Sequence, residues 1–421
     1  MRRRQRQEEV TYPHPSLEAT LKRTLGVPLF QEQLLRMAMV VANFTGSEAE
    51  ELRRAVGMRR SWERMKNLEG RLRAGMTSNG LDIATQETII QNISSFALYG
   101  FPESHAASFA LIAYASAYIK VKYLAAFTCA MMNNQPMGFY SPSVIIEDAR
   151  RHGLRVKPID IQLSSWPCTI EREEDRSLSL RLGLGYVRGL RRQCAEAIVW
   201  TRSNGLFRSV DDLVLRVPQL NRRELALLAN VGALNSLDGV EHRRDALWQI
   251  ERAGKPEGPL LMRQSELLRE DSREIPLQPM TAEERLVADY AVSSVTTGPH
   301  PMSFRREELS RRGYLRAADL AQRPHGSYVR TAGLAIVKQR PGTASGVVFL
   351  SVADETGVFN VFVAPDFFEK NRRLITTAKF LAVEGPLQKE GPIIHVMAKT
   401  FKELCVESQA GRLQVTSHDF H

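Results

Sequence analysis

Apolar residues recur at helical spacing from about Pro15 to Gln135. They run through LEATLKRTLG, FQEQLLRMAMVVANF, SEAEELRRAVG, RSWERMKNLEGRLRAGM and TQETIIQNISSFALYG, then YGFPESHAASFALIAYASAYIK and VKYLAAFTCAMMNNQ. This region is expected to be all-helical. Ser47 with Glu50 has capping-box spacing ahead of AEELRRAV, and Gly57 is placed to stop that helix. Around Pro102 a polar turn precedes the apolar run: Pro102 suits a first helical turn and Ser104 is a natural cap. A helix starting near His105 would aim free N–H groups and its positive dipole end outward, a geometry that favours a phosphate. Beyond PMGFYSP comes a further helix, SVIIEDARRHG, and then LRVKPIDIQLSSWPCTIE, whose alternation and prolines predict short strands.

From about Leu178 to Ile250 the pattern changes. A short strand, LSLRLGLGYV, leads into VRGLRRQCAEAIVWTRSNG and FRSVDDLVLRVPQLNRRELALLANVGALNSL, each half reading as two short helices around a tight turn. This predicts a tandem duplication of one hairpin unit. Residues 251–326 are polar and Pro-bearing at first and then helical, which reads as a linker with a helical segment. Residues 327–406 read as five strands with one helix, PDFFEKNRRLITTA, between the third and fourth, the layout of an OB-type barrel. A tail, 407–421, follows. The fold class expected is multidomain and mainly α, with a helical first domain over 1–165, a tandem helix-hairpin-helix region over 178–250 and a C-terminal β-barrel of OB type.

Composition narrows the function. The 421 residues are 43% hydrophobic and 25% charged, with a formal net charge of +10. Nine arginines face four carboxylates between Arg181 and Glu224, so nucleic acid is the first partner to expect. The four cysteines are scattered with no Cys-x-x-Cys pair, which argues against a zinc ribbon or a disulfide framework. No run of about 18 apolar residues occurs and no apolar stretch follows the basic start, so a cytoplasmic protein without membrane contact is expected. Glu147, Asp148 and Asp160 read as a solvated helix face and its surroundings, and no Walker loop or Ser-His-Asp pattern is present. On one helix, Arg53 and Arg54 point about 100° apart, and their two guanidiniums suit a triphosphate. In VRGLRR, Gly189 lets backbone approach a DNA phosphate while Arg188, Arg191 and Arg192 add charge, though Arg191 stands where such a hairpin usually has its second glycine. The second copy, VPQLNRRELALLANVGAL, has no glycine in its hairpin, which leaves a purely structural role open for it.

The order of YPHPSLEATLKRTLGVPLFQEQ, ELRRAVG, YGFPESHAASFALIAYASAYIK, NNQPMGFYSP, EDARRHGLRVKPIDI, LRLGLGYVRGL, FRSVDDL and GPHPM resembles the bacterial C-family DNA polymerases, typified by the alpha subunit of polymerase III. The form of FPESHAASFALIAYASAYIK, NNQPMGFYSP and GPHPM is similar to the error-prone, damage-tolerant branch. The resemblance implies the C-terminal part of such an enzyme: fingers, helix-hairpin-helix region and OB domain. It implies that Arg53, Arg54, Ser104 and His105 meet the incoming dNTP, and that Arg188, Gly189, Arg191, Arg192, Arg222 and Arg223 hold primer-template DNA. It also implies that Mg²⁺ is bound by a palm domain lying outside this chain, so that no catalytic or metal-binding residue is expected here and the chain alone is expected to be inactive. A separately encoded chain carrying the palm and PHP domains, and damage-response accessory proteins, are the implied partners. The alternative expectation is a non-catalytic DNA-binding accessory protein that uses its hairpins and barrel alone.

Overall fold

The computed structural model describes residues 2–57, 62–96, 101–138, 140–253, 277–341, 344–391, 393–404, 407–408 and 411–412, and the chain divides into two units, Met1–Tyr118 and Ile119–His421. The first unit is helical: α1 (Glu18–Leu21), α2 (Gln31–Ala42), α3 (Gly46–Gly57), α4 (Trp62–Ser78) and α5 (Ile83–Phe96), with α6 (Glu103–Lys122) running across the boundary. Leu34, Met37 and Val41 on α2, Leu72 and Met76 on α4, and Ile89 and Ile93 on α5 recur at helical spacing and form one core with Leu17 and Leu21. The buried Gln33 fixes the start of α2. Its carbonyl oxygen accepts from the N–H groups of Leu29 (2.9 Å) and Phe30 (3.1 Å), and its amide donates to Thr24 Oγ1 at 2.8 Å.

Two helix starts differ from expectation. Thr45 and Glu48, rather than Ser47 and Glu50, form the capping pair of α3: Thr45 N–H donates to Glu48 Oε2 at 2.8 Å and Glu48 N–H to Thr45 Oγ1 at 3.3 Å. Helix α6 starts at Glu103, so Ser104 lies within its first turn instead of capping it. No single helix among the described residues is long and apolar enough to cross a membrane; α6 and the next helix pass that test only as a bent pair.

In the second unit, α7 (Leu124–Asn133) and α8 (Pro142–Arg151) lead to a three-stranded sheet of β1 (Arg155–Lys157), β2 (Thr169–Arg172) and β3 (Leu178–Arg181), in the order β1-β3-β2. A 3-10 turn, Leu184–Tyr186, then precedes α9 (Arg192–Ser203), α10 (Val210–Arg216), α11 (Arg222–Asn230) and α12 (Arg243–Ala253). The first hairpin therefore has a 3-10 turn where a short helix was expected. Its buried residues Leu184, Val187, Leu190, Cys194 and Ile198 share a core with Leu213, Val217, Leu225 and Leu228 of the second hairpin. Residues 254–276 of the expected linker lie outside the described residues.

Beyond α13 (Ala282–Ser293), α14 (Arg306–Arg311) and α15 (Ala317–Leu320) comes a six-stranded sheet. Its strands are β4 (Tyr328–Gln339), β5 (Val348–Ala353), β6 (Val358–Val363), β7 (Phe380–Glu390), β8 (Ile393–Met397) and β9 (Thr400–Glu403), with α16 (Pro365–Thr377) between β6 and β7. The order is β4-β5-β6-β8-β7-β9, and β4 also pairs with β7. PIIHVMAKTFKEL gives two strands rather than one. It breaks at Ala398 and Lys399, whose N–H groups turn to the carbonyls of Phe362 (2.9 Å) and Glu384 (2.8 Å) on different neighbouring strands. In the tail, Glu407–Ser408 pairs with Gly411–Arg412, and the other residues lie outside the described ones.

The GPHPM stretch ties α8 to this sheet. Gly298 C=O accepts from Arg150 Nη1 at 2.7 Å, and His300 is buried, its Nδ1 accepting the Met302 N–H at 3.2 Å and its pKa pushed down to about 4 by burial. Arg306 reaches the fully buried Asp354 at 3.1 Å, and Asp354 also accepts the Ala317 N–H at 2.8 Å, fastening the DETG turn to the helical segment before the sheet.

Gly385 on β7 faces the Met397 carbonyl so closely that a Cβ there would overlap it. Gly385→Ala is expected to destabilise the sheet by about 1–3 kcal/mol, read as a lowered melting temperature of the second unit; an unchanged midpoint would mean that β7 and β8 are not packed this way.

Candidate nucleic-acid interface

The hairpin turn of the first unit of the duplication is built for close approach. Gly189 has φ +92°, a conformation L side chains avoid, and a Cβ there would press on Leu227 of α11. Arg188 N–H donates to Val292 C=O at 2.9 Å, which seats the turn on the end of α13. At the position usually held by a second glycine, the Arg191 N–H donates to Glu224 Oε1 at 3.0 Å. Its guanidinium reaches the same carboxylate, Nε to Oε1 at 2.9 Å and Nη2 to Oε2 at 2.8 Å, and Nη2 also donates to Gln219 C=O at 2.6 Å. Glu224 completes a capping box with Asn221 at the start of α11, so one buried carboxylate serves both hairpins. Hydrogen bonds from the Arg191 side chain, opposed by burial, hold its pKa down at about 2.

Much of the arginine excess is consumed inside the fold. Arg181 is buried against Glu171 and the Pro158 carbonyl. Arg202 donates to the carbonyls of Ile161, Ser164 and Leu163, and Arg216 to those of Leu206, Thr201 and Gly205 as well as to Asp212. Arg192 pairs with Glu196 at 2.8 Å and Arg222 with Glu251, both at exposed sites where pairing is weak. Arg188 and Arg223 are exposed and make no ion pair among the described residues. The structure thus keeps Arg188, Arg192, Arg222 and Arg223 at the surface, whereas Arg191, itself about half exposed, is committed to the buried Glu224.

In the first unit, Glu50 takes both arginines of ELRRAVG. Arg53 Nη2 lies 2.6 Å from Glu50 Oε1 and Arg54 Nε 3.3 Å from the same oxygen, and the Arg53 hydrogen bond is the main cause that draws the Glu50 pKa down to about 2. Arg53 also approaches Gln31 Oε1 at 3.5 Å, and Gln31 N–H donates to Phe101 C=O at 3.1 Å. The start of α2 therefore lies between Arg53 and the start of α6. There the Glu103 N–H donates to Glu32 Oε2 at 2.9 Å, and Glu103 pairs with Arg23. Ser104 is exposed in the first turn, and His105 sits between the rings of Phe101 (4.8 Å) and Phe109 (4.3 Å). Arg53 is thus linked through Gln31 to Phe101, the ring beside His105, and Glu50 already occupies both Arg53 and Arg54.

A third feature was not visible in the sequence. On the middle strands of the large sheet, Phe349 and Phe362 stack edge-on at 4.4 Å and Phe362 lies 5.4 Å from His395, with Ser351 hydrogen-bonded to Asn360 (3.2 Å) alongside. These side chains face out from β5, β6 and β8 and are partly exposed. Among the described residues no three His, Cys, Asp or Glu side chains converge as a metal site.

Because the Glu224 pKa lies well below the ordinary 4.5, its pairing stabilises the folded state above about pH 4.5 and that contribution is lost as pH falls toward 2. Glu224→Gln is expected to flatten this step in an acid-unfolding curve of the second unit; an unchanged acid limb would show that the pair carries no linkage.

Comparison with known proteins agrees with this layout. The family model described as the bacterial DNA polymerase III alpha subunit finger domain matches residues 1–80, and that of a helix-hairpin-helix motif matches residues 153–246. Proteins named error-prone DNA polymerase match the whole chain: one from Alkalilimnicola ehrlichii at 43% identity over 40% of its own length, one from Pseudomonas fluorescens at 42% over 40%, and one from an Anaeromyxobacter species at 41% over 37%. The chain is thus similar along its whole length to proteins named error-prone DNA polymerase, and it spans about 40% of the length of these curated relatives, matching their C-terminal part.

Proposed function

We propose that this chain holds primer-template DNA and the incoming nucleotide for error-prone, damage-tolerant DNA synthesis in the cytoplasm, as the C-terminal portion of a polymerase whose palm lies outside these residues. The observation that carries this reading is the tandem hairpin with Arg188, Arg192, Arg222 and Arg223 at its surface. Guanidiniums beside a glycine turn grip phosphates through forked hydrogen bonds, whatever the base sequence. In this reading residues 1–165 belong to the fingers, 178–250 grip the duplex, 251–326 connect, and 327–406 form an OB-type barrel with the tail behind it. The pairing of β4 with both β5 and β7, together with α16 between the third and fourth strands, supports the barrel. Phe349, Phe362 and His395 then stack the unpaired bases of the template.

Arg53, Arg54, Ser104 and His105 receive the triphosphate of the dNTP, which would have to draw Arg53 and Arg54 away from Glu50. The complete polymerase uses Mg²⁺ for phosphoryl transfer; the described side chains do not fit that ion, and no step through it is assigned to this chain. Leu111, Tyr114 and Val121 on α6 are each at least 70% exposed, an apolar surface that supports packing of a further polypeptide segment such as the palm.

Primer extension tests the reading directly: the chain alone with Mg²⁺ and dNTPs is expected to give none, and a palm-bearing chain added in trans is expected to restore it. Extension by these residues alone would overturn the placing of the chemistry outside them. Arg188→Ala and Arg223→Ala are each expected to weaken primer-template binding for all sequences and to lower the salt slope by about 1; equal binding by both variants would remove the hairpins from the interface. Phe362→Ala is expected to weaken single-strand binding by about 1–3 kcal/mol while sparing duplex binding, and an equal loss on both would contradict the stacking role.

A further inference from the structure

The Arg191–Glu224 contact reaches beyond the stability of one helix. Arg191 ends the turn of the first hairpin, and Glu224 sits at the third helical position of α11, one residue after Arg223. The two hairpin tips are bound together at a single carboxylate, which accepts from Arg191 N–H, Nε and Nη2 and from the Cys194 thiol (3.6 Å) of the first hairpin, and from the Asn221 N–H of its own cap. Around them the Arg191 fork also holds Gln219 C=O, the Cys194 thiol approaches the same carbonyl at 3.4 Å, and Gly189 rests on Leu227. A forked Arg–carboxylate pair fixes orientation as well as distance, which a point-charge contact does not. The carboxylate also occupies the backbone donor at residue 191, so a DNA phosphate cannot take that N–H while the pair is intact.

We propose that Glu224 is the positioning residue of the DNA-holding surface: by clamping Arg191 it sets the separation and orientation of the Arg188 tip and the Arg223 tip, so that both meet one duplex together. In this arrangement Arg191 contributes to DNA binding through Glu224 and makes no phosphate contact of its own. Glu224 touches no DNA. Loss of the clamp leaves each tip folded on its own helix but uncouples their phosphate contacts, which turns a two-point grip into a one-point grip.

This inference rests on the DNA-holding reading, and a double-mutant cycle separates the two. Binding of a primer-template duplex is titrated at two salt concentrations with the full chain, its Arg223→Ala variant, its Glu224→Gln variant and the combination. In the native background, Arg223→Ala is expected to cost about fivefold in affinity and about 1 in salt slope. In the Glu224→Gln background the same substitution is expected to cost less than about twofold and to leave the slope unchanged. An equal loss in both backgrounds would show that Glu224 only stabilises the fold and would overturn the inference. Absence of binding by the native chain would instead overturn the DNA-holding reading, and this inference with it. Should Glu224→Gln fail to fold, the Arg191→Gly/Glu224→Ala pair replaces it, because it removes the clamp without leaving a buried charge unpaired. The same outcomes apply.

Discussion

The arrangement of the arginine-rich region depends on one buried carboxylate. Glu224 is almost fully enclosed, and a carboxylate in that position is stable as an anion only with several donors around it. Arg191 supplies three of them and Asn221 a fourth. The requirement works in both directions: the charge needs the two hairpins together, and the hairpins are held together by the charge. Removing Arg191 alone leaves the buried Glu224 carboxylate uncompensated, a larger cost than losing a surface pair.

The same logic recurs in the rest of the molecule with different consequences. Arg202 and Arg216 spend their guanidiniums on backbone carbonyls at loop and helix ends, which satisfies acceptors that the hairpins would otherwise bury. Asp354 and Arg306 fasten the connecting segment to the sheet. Glu50 holds Arg53 and Arg54 at a more exposed site, where solvent makes the pairing easily exchanged for a stronger polyanion. Arginines that bind buried acceptors are architectural, whether enclosed like Arg181 or half exposed like Arg191.

This distinction explains what the sequence could and could not disclose. Helical spacing located the helices of the first unit because its core positions, such as Leu34, Met37 and Val41, obey one period. The cap of α3 was displaced because Thr45-Glu48 and Ser47-Glu50 have the same spacing, and only packing selects between them. Gly189 was legible as the turn residue from its type alone, and its positive φ agrees. The role of Arg191 was not legible. Charge density is a local property of sequence, whereas Glu224 lies 33 residues further on and meets Arg191 only after the hairpins pack. The row Phe349, Phe362 and His395 likewise requires the register of three strands, one of them joined through a parallel pairing that no periodicity encodes.

In the proposed function the two hairpin tips, with Arg188 and Arg223 exposed on them, are where the duplex backbone lies. Hydrogen–deuterium exchange of the full chain with and without a primer-template duplex tests this most directly. The account predicts slowed exchange on DNA binding at residues 188–193 and 222–224. Protection confined to other segments, with the hairpin tips unchanged at saturating DNA, would contradict it.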